Sequence, residues 1–230
     1  MDLNKITAAK NKNAPDYLTV KYITDGYDEF FRDPIFGNDE KIMRNFLSAN
    51  PQNTNKNIVI QKIRLIDLLN STHLQTHNKN GLKRIEEVLA EKIIDKEMNF
   101  DVRIKNGDPN LVDDIANAAK EVRLYSFASK YCHYHQAYAL DKPKDDYPIY
   151  DTVLCETLPR YIKGVSKTGL ANMFNPNYSS NVYEYKDYKD IVEKVLKLYL
   201  GNQYGNTAKF KGQPLRMLDR CLWYKNRHGG

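Results

Sequence analysis

Two ionisable side chains stand out by their settings. Lys130 ends the run Leu124-Tyr125-Ser126-Phe127-Ala128-Ser129-Lys130, and Asp151 ends Pro148-Ile149-Tyr150-Asp151, 21 residues further on. An amine becomes a nucleophile when it sheds its proton, and apolar surroundings that strip its water favour the neutral form. Phe127, Tyr131 and Tyr134 share the segment of Lys130 and offer such surroundings. A plainer reading competes, because lysine is seldom buried and a surface lysine on an amphipathic helix needs no chemistry. Asp151 has two readings that are compatible: an acid with a task, or a helix cap, for which Asp is among the best residues. His133 and His135 lie two apart, so a helix turns them to different faces. That spacing suits no single metal ion, and none is expected; His133 is a candidate for lining a pocket. Cys132, Cys155 and Cys221 are too few and too scattered for a disulfide framework or a four-thiolate iron–sulfur cluster. No cofactor is expected.

The elements that must position these residues read as helices. Asp108-Pro109 is a good helix opening, with Asp as cap and Pro where its missing N–H is harmless. Leu111, Ile115, Ala118 and Ala119 give that helix one apolar face. A turn around Val122–Ser126 follows, then a helix from Phe127 to about Tyr138. A polar loop leads to Asp151, which caps a further helix to about Lys163. Upstream, residues 1–16 are polar and read as a mobile arm, and 17–38 as an irregular cover with one short helix. Asp39 opens a short helix to about Ala49. The apolar positions of Lys56–Asn70 and of Leu82, Ile85, Leu89 and Ile93 recur at helical spacing. Residues 164–186 read as loop, with helices near 187–200 and 214–226. In the last of these Leu215, Leu218, Leu222 and Trp223 read as core, and Arg216, Arg220, Lys225 and Arg227 as a solvated basic face. No series of alternating strands occurs, so the expected class is all-α.

Composition narrows the partners. The 230 residues carry 35 Lys and Arg against 29 Asp and Glu, a net charge of +6 and a pI near 9.0. This is a mild electrostatic footprint for a polyanion. The 17 tyrosines can stack on bases, though filling wet core edges is their commoner use. No run of 18 apolar residues spans a membrane, and the polar N-terminus is no secretory signal, so a reduced cytoplasm is the expected compartment.

Within residues 55–165 the chain resembles the helix-hairpin-helix DNA glycosylases, the superfamily of endonuclease III, the adenine glycosylase MutY and oxoguanine DNA glycosylase. Their bifunctional members lead a Leu-Pro-Gly-Val-Gly-type hairpin into a helix with a nucleophilic Lys. A Pro-Val-Asp-type segment then puts its Asp at the next helix start. Ser126-Phe127-Ala128-Ser129-Lys130-Tyr131-Cys132 and Tyr147-Pro148-Ile149-Tyr150-Asp151 match these two elements in order and separation. Leu140-Asp141-Lys142-Pro143 in the intervening loop is also similar. Upstream, Ile66-Asp67-Leu68-Leu69-Asn70-Ser71-Thr72-His73 looks like the Leu-Leu-Ser-x-Gln segment that props open the space left by a flipped base. Together with Leu218-Asp219-Arg220-Cys221-Leu222-Trp223, these runs resemble bacterial proteins with an oxoguanine-glycosylase-like fold. The chain departs from the pattern at the hairpin, where Ser126 and Ala128 replace the glycines and Tyr125 the proline. Small residues remain, but the backbone loses the freedom that lets glycine amides approach a phosphate closely.

The resemblance implies a helix-hairpin-helix glycosylase fold, with two helical lobes flanking a DNA-facing cleft, in one domain over residues 17–230 and the hairpin unit at about 109–139. It implies excision of a modified or damaged base from double-stranded DNA by a monomer, with strand incision through a Lys130 Schiff base. Lys130 and Asp151 would be catalytic. Ser71, Thr72, His73, Tyr125, Ser126 and Ala128 would contact DNA, and Phe127, His133 and Tyr134 would line the base pocket. The competing expectation is a nucleic-acid-binding or defence-associated protein that keeps the fold without the chemistry.

Overall fold

The structure, a computed structural model, describes residues 3–13, 17–78, 83–119, 122–175, 183–204, 210 and 212–228. The class is all-α: eleven α-helices and one two-residue strand pair occur among the described residues. None of the helices is long and apolar enough to cross a membrane. The chain divides into two compact units, one formed by residues 38–147 and the other by 1–37 and 148–230.

The continuous unit holds most of α2 (Pro34–Ala49) and all of α3 (Lys56–Asn70), α4 (Ile85–Ile94), α5 (Phe100–Asn106), α6 (Asn110–Ala116) and α7 (Tyr125–Tyr138). Asn55 starts α3 by accepting the amides of Asn57 and Ile58 at 2.9 and 3.3 Å. Asp108 starts α6, accepting the Asn110 amide at 3.0 Å. The centre is α7, in which every residue except Ser126 is buried. A helix buried all round must satisfy its own polar side chains. Gln136 does so by donating to the Ile104 carbonyl at 3.0 Å and to Asp146 at 2.7 Å. The expected opening of α4 at Gly81-Leu82 lies outside the described residues. One helix of this unit was not expected: α5 offers only Phe100 and Ile104 to the core, too little for a visible period.

The unit made from both chain ends pairs α1 (Val20–Arg32) with α11 (Pro214–Arg227), and adds α8 (Thr152–Thr157), α9 (Lys167–Ala171) and α10 (Tyr185–Leu200). The expected irregular cover over 17–38 is instead α1 and the start of α2. Thr19 caps α1 through the Tyr22 amide at 3.0 Å. Asp33 then accepts the Ile35 and Phe36 amides at 2.9 and 3.1 Å, opening α2 at Pro34 rather than at Asp39. The loop expected over 164–186 contains α9, and part of it lies outside the described residues. The N-terminal stretch is anchored rather than loose. Thr7 and Ala8 (β1) pair antiparallel with Lys163 and Ile162 (β2), and Ile6 is buried. The basic face expected on α11 is half interior, because Arg216 and Arg220 are buried. Arg220 pairs with buried Asp219 at 2.8 Å and lies over the Phe30 ring.

Candidate functional site

The amine of Lys130 is the centre of the candidate site. The residue is 6% exposed, so the surface-lysine reading does not hold. Its Nζ donates to the Asn70 carbonyl oxygen and to the Ser126 hydroxyl, each at 3.4 Å. Asn70 ends α3 and precedes the Ser71–His73 segment, so two sequence features 60 residues apart meet at one amine. The Tyr134 hydroxyl, one helical turn beyond Lys130, donates to the Asn70 side-chain oxygen at 2.7 Å.

The segment after Asn70 has a defined shape. Ser71 and His73 adopt left-handed backbone, with φ of 49° and 56°. Outside glycine such conformations cost of the order of 1 kcal/mol each and persist only where the surroundings impose them. Asp67 imposes them here. Its carboxylate accepts the Thr72 hydroxyl at 2.6 Å and the Leu74 amide at 3.0 Å, and its carbonyl accepts the Ser71 and Thr72 amides. Ser71 and His73 are exposed and Thr72 half-buried.

The remaining expected residues fall in several places. Tyr125 is buried and donates to Asp113 at 2.7 Å; burial and that carboxylate push its phenol well up. Ala128 is buried, and its amide is used within the helix, donating to the Leu124 carbonyl at 2.8 Å. Of the three expected hairpin contacts, only Ser126 is half-exposed. The N-cap position of α7 is Leu124, whose side chain makes no cap hydrogen bond. Phe127 is buried against Tyr131. His133 Nδ1 lies 2.9 Å from the Tyr147 carbonyl oxygen, whereas His135 turns to Asn53. Asp151 belongs to the other unit and caps α8, accepting the Leu154 amide at 2.9 Å. Among the described residues no cluster of His, Cys, Asp and Glu could hold a metal ion.

A second buried lysine escaped the sequence reading. Lys62 donates to the Gln52 carbonyl at 2.8 Å and to Asn53 Oδ1 at 3.1 Å. The same Asn53 oxygen accepts from Tyr131 at 2.7 Å, and its amide donates to Asp101 at 3.1 Å. Burial pushes the Lys62 amine down to about 8, against the opposing pull of Asp101. Burial also holds His135 well below its ordinary value, with Lys62 and Lys105 adding to the effect. The available signal was positional: Lys62 falls on the α3 stripe of Val59, Ile63 and Ile66.

A family model named HI_0787_N and described as an N-terminal domain matches residues 19–142, more than half of the chain. The chain belongs to that family. The HI_0787_N region starts at the cap of α1, takes in Lys130, Asn70 and the Ser71–His73 segment, and ends before Asp151. No curated protein and no solved structure matches the chain.

Proposed function

We propose that the chain is a DNA glycosylase of the helix-hairpin-helix type, acting on double-stranded DNA with Lys130 as nucleophile. The observation that carries this reading is the buried Lys130 amine, 3.4 Å from the carbonyl oxygen of Asn70, at the root of a strained and exposed segment. Strained non-glycine backbone concentrates at functional sites. Here it adjoins the buried amine that a base-excising enzyme would need.

In this mechanism the target nucleotide leaves the stack, which a duplex-reading enzyme needs before it can reach the sugar. The neutral Lys130 amine attacks C1′, and the bond from C1′ to the base breaks. The base departs with the electron pair and takes up a proton, and the amine loses one. Ring opening leaves a Schiff base between Lys130 and the sugar, from which the 3′-phosphate can be eliminated. Thr72 and His73 are proposed to occupy the vacated stack.

A second reading has its own support. Tyr125 and Ala128 are turned inward and the Ala128 amide is already bonded, so the expected hairpin grip on phosphate is reduced. A protein that binds nucleic acid without excision would fit this.

Borohydride trapping separates the two. Duplexes each carrying one modified base, 8-oxoguanine first, are mixed with protein and reductant. The expected result is a covalent adduct that Lys130→Gln abolishes while DNA affinity stays within a few fold. Trapping that persists in Lys130→Gln would give the nucleophile's role to another residue. DNA binding with no adduct on any duplex would favour the binding protein.

A further inference from the structure

Lys130 is long and flexible, and a buried amine can attack only if something aims it. Groups on two helices hold it. Ser126 lies four residues before it on α7 and moves with the same backbone. Asn70 lies on α3, 60 residues away, and touches the amine through its main-chain oxygen. That oxygen closes α3, where the chain turns into the left-handed Ser71. Such a terminal carbonyl is free to swing unless its residue is fixed. Two side-chain bonds fix Asn70: its amide donates to the Ile66 carbonyl at 3.1 Å, and its oxygen accepts the Tyr134 hydroxyl at 2.7 Å. Tyr134 is buried and carried by the helix that carries Lys130. The path therefore closes on itself, from the α7 tyrosine through the Asn70 side chain and main chain to the α7 lysine.

We propose that Asn70 is the positioning residue of the Lys130 amine and that Tyr134 sets it. The inference rests on the reading of Lys130 as the nucleophile. It assigns Tyr134 a task other than lining a base pocket. A hydroxyl that aims the amine through Asn70 affects the reaction geometry without touching DNA. A misplacement of about 1 Å at a reacting group can slow a reaction about a hundredfold.

The test uses Tyr134→Phe and Asn70→Ala, each of which frees the Asn70 carbonyl while leaving a main-chain oxygen in place. Tyr138→Phe is the control. Tyr138 also lies on α7, stacks on Tyr134 and donates a buried hydroxyl, but to Glu40 rather than to Asn70, so its loss removes a comparable bond without touching the Asn70 side chain. Two rates are measured on the full chain. One is borohydride trapping on an 8-oxoguanine duplex. The other is reductive alkylation of Lys130 by propionaldehyde and cyanoborohydride, read by peptide mass spectrometry across pH 6–10. A small untethered aldehyde needs no aimed amine, whereas a sugar held in DNA does. Both test variants should therefore trap at least tenfold more slowly and alkylate Lys130 at least threefold faster, with the alkylation pH profile displaced. Tyr138→Phe should leave both rates within twofold. The role is overturned if both rates of the test variants stay within twofold of the native protein, if both fall together, or if Tyr138→Phe reproduces the opposed pair. If the native protein alkylates at Lys130 and the variants accelerate it, but no duplex is ever trapped, the positioning role stands and the glycosylase reading falls.

Discussion

Single residues in this chain are best judged by what lies across from them. Lys62 takes its ordinary value near 10.5 when unfolded and about 8 when folded. Between these values the unfolded chain holds the proton and the folded chain does not, so stability rises as pH climbs from 8 to 10.5. Below pH 8 the whole penalty is present, about 3 kcal/mol. Lys62→Met should remove that rise, seen as a flat difference between urea-unfolding free energies measured at pH 8 and 10; an equal rise in both proteins would place the charge elsewhere. Asp151 makes the opposite case, a residue whose scaffold duty is visible and whose chemistry is only what the resemblance implies. Asn caps nearly as well as Asp, so Asp151→Asn should melt like the native protein, while Asp151→Ala should cost about 1 kcal/mol. If the carboxylate also steadies a charged sugar, the Asn variant should excise about a hundredfold more slowly. Undiminished excision would leave it a cap alone. The order of the Lys130 and Asp151 segments was legible because each carries its own local pattern. The burial of Lys130 was not, because part of its cradle is Asn70, 60 residues away.

At the scale of elements, the same dipeptide shows what local sequence says and omits. Asp108-Pro109 and Asp33-Pro34 both open helices in the same way, with Asp accepting the amides beyond the proline. The first was read as a helix start because a clean apolar face follows it. The second was masked by Gly26 and Gly37 on either side, which read as breakers. Gly26 is in fact inside α1, and the reason is its partner. A Cβ there would sit 2.5 Å from Cys221 Sγ and 3.2 Å from the Cys221 Cα on α11. Alanine in place of a mid-helix glycine gains about 1 kcal/mol of helix propensity. Overpacking at a helix contact costs about 1–3 kcal/mol. Gly26→Ala should therefore lower stability by up to about 2 kcal/mol in urea unfolding. A more stable variant would mean that α1 and α11 can move apart freely. Nothing near Gly26 in the sequence announces this contact, since the residue that requires it is 195 positions away.

The whole molecule is unequal in how its two units use the chain. Residues 38–147 form one uninterrupted stretch, whereas the other unit takes 1–37 from one end and 148–230 from the other. A separate polypeptide of residues 38–147 should keep its helical circular dichroism and unfold cooperatively in urea. Residues 148–230 should gain such a transition only when a peptide of residues 1–37 is added. A non-cooperative 38–147 fragment would mean that neither unit is autonomous. The pairing of α1 with α11 also sets a timetable for synthesis. During translation α1 leaves the ribosome roughly 180 residues before α11 does. At bacterial to eukaryotic elongation speeds that is an interval on the order of 10–40 s. Throughout it the Ile23 and Phe30 face of α1, which ends fully interior, lacks α11. The unit bearing Lys130 can finish within that interval. The nascent chain thus carries its middle stretch between a helix still unmatched and one not yet made.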